Sequence, residues 1–191
     1  MDSGKTTLAE SILFQTGKIR KFGRVDHGDA YLDNYELEQS RGITIFSKQA
    51  EIMLGDRPVT LLDTPGHVDF AAEMERTLQV LDYAILVVNG ADGVQGHTET
   101  LWRLLTRYRI PTFIFVNKID QAGTDPEKVL TELQDRLSEG CIAFPGSAGL
   151  TEGNARVAVS ESEWLESMAM LEETAMEEYL ETDTLSADTI R

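Results

Sequence analysis

The chain has 191 residues, 41% of them hydrophobic and 26% charged, ordinary proportions for a soluble globular protein long enough to bury a full core. Its formal net charge of −16 would repel a phosphate backbone, so independent nucleic-acid binding by this fragment is not expected. No apolar run approaches the roughly 20 residues of a membrane span, no signal-like segment opens the chain, and the single cysteine, Cys141, excludes an internal disulfide and fits a reducing cytoplasm. The charge is uneven. Residues 141–191 hold 11 Asp and Glu against two arginines, Arg156 and Arg191, a net −9 of the −16.

In chain order, Thr6 to Gln15 carries Leu8, Ile12 and Leu13 at helical spacing, with Gly17 as a stop. Residues 18–42 are polar and punctuated by glycine, which predicts a long loop. Strand character begins at Arg41-Gly42-Ile43-Thr44-Ile45-Phe46, and residues 51–62 read as strand, turn, strand. A helix after His67 has Met74, Leu78 and Leu81 on one stripe. The apolar runs Tyr83–Asn89 and Thr112–Val116 read as parallel strands buried on both faces, separated by a helix over about Thr98–Tyr108. Asp125 or Thr124 caps the next helix, with Pro126 in its first turn. After a glycine-rich stretch, Ser160 and Glu163 form a capping box, and one amphipathic helix is predicted behind it through Tyr179. Strands alternating with helices predict an α/β fold with a doubly wound, mostly parallel sheet.

The first seven residues end in Asp2-Ser3-Gly4-Lys5-Thr6-Thr7, the second half of a phosphate-binding loop, G-x-x-x-x-G-K-[ST]. Backbone N–H groups and a helix N-terminus would face a polyphosphate there. Gly4 permits close backbone approach, Lys5 reaches the outer phosphates, and Thr6 offers a hydroxyl to Mg²⁺. The bland alternative is a helix start capped by Ser3 or Asp2. The loop's opening glycine and the strand that feeds it would precede Met1, so the chain is read as cut at that end.

Three further motifs follow predicted strands, where open α/β sheets bind ligands. Asp63 can hold Mg²⁺, Gly66 can bring a backbone N–H to a terminal phosphate, and His67 is placed to position an attacking water. Thr44 is the candidate for a second hydroxyl on the metal. Asn117-Lys118-Ile119-Asp120 is a base-reading pattern: a carboxylate accepts both N1–H and N2–H of guanine, a donor pair adenine lacks. A buried Asp120 would go unpaired against adenine. Asn117 would hold the loop or the other base edge, and the Lys118 stem could lie over the ring. His27 and His97 have no comparable context, and no Cys/His spacing points to zinc.

Asp2-Ser3-Gly4-Lys5-Thr6-Thr7, Arg41-Gly42-Ile43-Thr44-Ile45, Asp63-Thr64-Pro65-Gly66-His67 and Asn117-Lys118-Ile119-Asp120 together resemble the G domain of translational GTPases. Within that class, Val25-Asp26, Gly28, Asp33-Asn34 and the run from Asn117 to Gly123 look most like the tetracycline-resistance ribosomal protection proteins, relatives of elongation factor G. The resemblance implies a phosphate-loop GTPase binding GTP or GDP with Mg²⁺, with hydrolysis stimulated by the ribosome near His67. It further implies that Asp2 helps hold a monovalent cation. Residues 1–140 would be the nucleotide-binding core, incomplete at both ends, and 141–191 an acidic, partly helical insertion of the same domain. Ser147-Ala148 is read as a decoy for the family's last base-binding loop, expected beyond Arg191. Peptide chain release factor 3 is the rival within the class. A folded fragment or binding module with impaired nucleotide binding is the rival outside it.

Overall fold

Helix α1 (Lys5–Gln15) stops where its sequence predicts, with Gly17 in the left-handed region at φ 71°, a conformation glycine adopts without steric cost. The Lys18 N–H closes the last turn on the Leu13 carbonyl at 2.9 Å. These features come from a computed structural model that describes residues 3–23, 31, 47–65, 71–144 and 160–186, the side chains of 71–73 excepted. The described residues form two compact units, one built from Met1–Asn89 with Thr100–Asn117, the other from Gly90–Glu99 with Lys118–Arg191.

In the first unit, β1 (Lys48–Leu54) and β2 (Arg57–Asp63) pair antiparallel, from Lys48 opposite Asp63 to Leu54 opposite Arg57. A two-residue turn, Gly55-Asp56, joins them. Period-two alternation puts Ala50 and Ile52 on the inner face while Gln49, Glu51 and Met53 face out. α1 lays Ala9 and Leu13 on that face, and Ile12, Ile19, Val59 and Leu61 close the cluster. Burial of an aliphatic side chain stabilises by about 1.5–3 kcal/mol, so this contact holds α1 firmly over the hairpin that ends in Asp63. Glu10, absent from the helical spacing argument, is fully buried on α1.

Also in the first unit, α2 (Ala71–Leu78) buries Met74 and Leu78 as its stripe predicts. Its Glu75 accepts from the Tyr108 hydroxyl at 2.8 Å. β3 (Ala84–Asn89) pairs parallel with β4 (Thr112–Asn117), Ala84 opposite Thr112 through Asn89 opposite Asn117. Among the described residues this pair and the β1–β2 pair are separate two-stranded sheets. Among the described residues, the two faces of the parallel pair differ in burial. Leu86 and Val88 are buried, whereas Ile85, Phe113 and Phe115 are 49%, 51% and 42% exposed. This corrects the expectation of burial on both faces: a continuous apolar run says that a strand could be covered twice, not that anything covers it.

α3 (Gly96–Arg107) follows, slightly ahead of its predicted start. In the second unit, α4 (Pro126–Arg136) begins at an Asp125 N-cap whose side chain accepts from the Glu127 and Lys128 N–H groups, with proline in the first turn. It buries Val129 and Leu133. Arg136 closes its last turn by pairing with Glu99 at 2.7 Å and Glu132 at 2.8 Å, and by donating to the Val94 carbonyl. Those two carboxylates, Glu132 foremost, raise the guanidinium's pKa.

The tail departs from expectation. The capping box forms as read: Ser160 Oγ accepts from the Glu163 N–H at 3.2 Å, and Glu163 accepts from the Ser160 N–H at 2.8 Å, which lowers the Glu163 pKa. Instead of one helix, however, α5 (Glu161–Ala169) and α6 (Glu173–Thr182) are separated by a turn at Met170–Glu172. Ala169 and Ala175 are buried, small residues that let two helices approach closely, while Met170 and Leu171 at the turn are exposed. Folding back buries surface that a single straight helix would leave in water. Trp164 on α5 packs on Phe144, ring centroids 5.3 Å apart. No helix among the described residues is long and apolar enough to cross a membrane.

Candidate functional site

The N-terminus of α1 is built around Gly4. It is the helix N-cap, left-handed at φ 87°, ψ 30°, with no side-chain cap, so Ser3 does not play the capping role of the bland reading. A Cβ at this position would overlap Asn117 Nδ2. Both the backbone conformation and the close approach therefore demand glycine.

Two residues from strand ends meet this loop within the first unit. Asn117, last in β4, donates from Nδ2 to the Ser3 carbonyl at 2.9 Å. This bond sets the side chain of Asn117 against the loop before α1. Asp63, last in β2 and only 5% exposed, accepts from Thr6 Oγ1 at 2.9 Å. Thr7 is exposed and Lys5 half-buried in the first turn of the helix. An uncapped helix N-terminus with a lysine in its first turn suits an anion. A threonine hydroxyl against a buried carboxylate is an all-oxygen pair, the donor chemistry Mg²⁺ takes, usually with waters and substrate phosphates completing its shell. The residues present fit that ion. Among the described residues no group of three or more His, Cys, Asp or Glu side chains gathers into a metal site of another kind.

In the second unit, Lys118 has φ 59°, an uncommon conformation for a residue with a side chain and one that clusters at functional sites. The Gln121 N–H returns to the Lys118 carbonyl at 3.2 Å, and Thr124 N–H to Gln121 at 3.2 Å, so Ile119 and Asp120 sit in a hydrogen-bonded turn leading to the Asp125 cap. Asp120 is exposed, not buried as the sequence argument supposed. Asp2, Thr44, Gly66, His67 and the Ser147-Ala148 decoy lie outside the described residues.

Sequence reasoning named Asn117 but not its contact with Ser3. The signal available was the glycine, since a residue beside a left-handed Gly4 is a natural candidate for close approach.

The sequence profile of the elongation factor Tu GTP binding domain matches residues 1–188. The chain is 49% identical over 156 residues to an oxytetracycline resistance protein of Streptomyces rimosus, covering 82% of this chain and 24% of that one. It is 47% identical over 144 residues to elongation factor G of Rhodopseudomonas palustris (strain BisB18), 75% of this chain and 21% of the relative. To elongation factor G of Salinibacter ruber it is 42% identical over 176 residues, 87% of this chain and 25% of the relative. It thus spans no more than a quarter of the length of these relatives. A crystal structure of a Thermus thermophilus protein superposes with a TM-score of 0.80 at 28% identity, covering 98% of this chain and 33% of that one. The half phosphate loop tied to two strand ends, the α/β architecture and these likenesses agree: the chain belongs to the elongation factor Tu GTP binding domain family, as a translational GTPase G domain of the elongation factor G and tetracycline-resistance kind.

Proposed function

We propose that the chain binds GTP and GDP with Mg²⁺ and, as part of a ribosome-associated cytoplasmic factor, hydrolyses GTP when the ribosome stimulates it. The observation that carries this reading is the Asn117–Ser3 hydrogen bond, which ties the end of β4 to the phosphate loop. In the proposal the α1 N-terminus and Lys5 hold the phosphates, with the N–H groups of Ser3 to Thr7 and Gly66 completing the cradle. Asp120 accepts from guanine, and the Lys118 stem covers the ring. Thr6, Asp63 and Thr44 would hold Mg²⁺, which when bound neutralises charge on the phosphates. Asp2 would contribute to a monovalent cation site. His67 orients the attacking water, since phosphoryl transfer asks mainly for positioning and charge stabilisation. Residues 141–191 form an acidic insertion of the same domain. Relatives of both kinds match at similar identity, and the run from Asn117 to Gly123 is what supports the ribosomal protection branch within this proposal.

His67→Ala is expected to slow ribosome-stimulated GTP hydrolysis by roughly a hundredfold, the scale of effects from lost positioning, and to spare GTP affinity. Single-turnover hydrolysis beside equilibrium binding separates the two. Weakened binding with normal turnover would move His67 from water positioning to ligand binding.

A second reading, a folded module with impaired nucleotide binding, is favoured by one observation. The two strand pairs of the first unit are not joined by strand pairing among the described residues, and Ile85, Phe113 and Phe115 are left exposed. Loss of ladder hydrogen bonds at a sheet edge is a real cost.

A further inference from the structure

The chain's acidity hides a local exception just beyond α1. Between Glu10 and Asp26 there is no acidic residue, and Lys18, Arg20 and Lys21 fall within four positions. The fold fixes the backbone that carries the first of these cations. The Lys18 and Ile19 N–H groups both return to the Leu13 carbonyl, at 2.9 and 3.2 Å, and Ile19 packs into the α1–hairpin core. With Ile19 turned inward, Lys18 and Arg20 on either side of it are exposed. Beside them Phe14 from α1 meets Phe22 edge to face, centroids 6.3 Å apart and planes at 88°. Both rings stay open to solvent, at 47% and 37% exposure.

A helix C-terminus attracts a cation, and its dipole alone could account for one lysine. It does not account for two partly exposed aromatic rings held edge to face. Exposed cations on a held stretch of backbone, close in sequence to a braced and partly exposed ring, are the two parts of a single-strand nucleic-acid platform: charge for the backbone, a π-face for a base. A membrane surface fits less well, because anchoring there takes an amphipathic helix with a basic polar face, and α1 has no basic residue in its last turn. An acidic polypeptide would satisfy the cations but leave the rings unused.

We propose that Lys18, Arg20 and the Phe14–Phe22 pair form a docking patch for unpaired RNA, contacting phosphodiester oxygens through the cations and one base through Phe22. The proposal deepens the translational reading and rests on it for the class of partner. It is compatible with the net charge of −16, which weakens binding overall without removing the local field.

The test is fluorescence anisotropy of the chain with a labelled single-stranded RNA of about ten nucleotides at about 50 mM salt, where a weak, nonspecific dissociation constant on the order of 10⁻⁴ M is expected. The double variant K18E/R20E is expected to lose at least about tenfold in affinity and to flatten the salt dependence by about 1.4 in log–log slope, about 0.7 for each lost phosphate contact. F22A should lose roughly fivefold or more with that slope unchanged, because stacking is not screened by salt. The matched control R57E/K128E carries the same net charge and should retain most of the binding. Circular dichroism of each variant separates loss of contact from loss of fold. Three results would overturn the proposal: no binding by the unaltered chain, equal loss in R57E/K128E, or tighter binding to anionic vesicles or polyglutamate than to RNA. GDP affinity measured on the same samples keeps the readings apart. Retained GDP binding with no RNA binding sinks the patch alone, and the reverse sinks the nucleotide site alone.

Discussion

Replacing Gly4 with alanine is expected to lower guanine-nucleotide affinity by roughly a hundredfold while leaving the far-ultraviolet circular dichroism nearly unchanged. Two costs combine. A side chain in the left-handed region costs about 1–2 kcal/mol, and the added Cβ overlaps Asn117 Nδ2, which must give up its bond to the Ser3 carbonyl. A lost hydrogen bond of this kind is worth about 0.5–1.5 kcal/mol, and at 1.4 kcal/mol per tenfold the sum reaches roughly the stated factor. The strain is relieved if the loop leaves its position over the α1 N-terminus, and that is the geometry the phosphates need. Calorimetric titration of GDP into the G4A chain checks it. Affinity within about threefold of the parent chain would mean that the Gly4–Asn117 approach is not part of the site.

Asp120→Ala should erase the preference for guanine over adenine. Two charge-assisted hydrogen bonds to one carboxylate carry about 1.5–3 kcal/mol each. Because Asp120 is exposed, the lower end applies, and GDP affinity is expected to fall by about a hundredfold or somewhat more. ADP affinity should hardly move, since adenine offers no donor pair for the carboxylate to accept. Parallel GDP and ADP titrations of D120A read this directly. A variant that still prefers GDP would place base recognition elsewhere in the chain.

Much of this architecture was legible from residues alone, for reasons that differ by element. The ends of α1 and α4 were marked by Gly17, Asp125 and Pro126, whose local chemistry acts whatever the tertiary context. The β1–β2 hairpin announced itself through Gly55-Asp56 between apolar runs. The loop and strand-end residues Gly4, Thr6, Asp63 and Asn117 were named because phosphate and metal chemistry restricts the residue types allowed there.

What sequence did not reveal depends on neighbours. The Ile85, Phe113 and Phe115 face reads as core in any hydropathy argument, yet its exposure is set by what lies against it. The break between α5 and α6 carries no glycine or proline. It follows from the packing of Ala169 and Ala175, whose small size is silent in a periodicity count. Asp120 looked buried because a base-reading carboxylate is most selective when dry, a functional argument that says nothing about the protein without its ligand. Glu10 is a charged residue on an otherwise apolar helix face, so hydropathy does not mark it as buried, yet it is fully buried.

The central claim is that this chain holds a guanine nucleotide, its phosphates at the α1 N-terminus and its base read by Asp120. The most direct measurement is titration of the unaltered chain with GDP and, separately, ADP in the presence of Mg²⁺, by calorimetry. Binding of GDP about a hundredfold tighter than ADP is the predicted result. Equal binding of the two would contradict the base-reading role of Asp120, and binding of neither would contradict nucleotide binding by this chain.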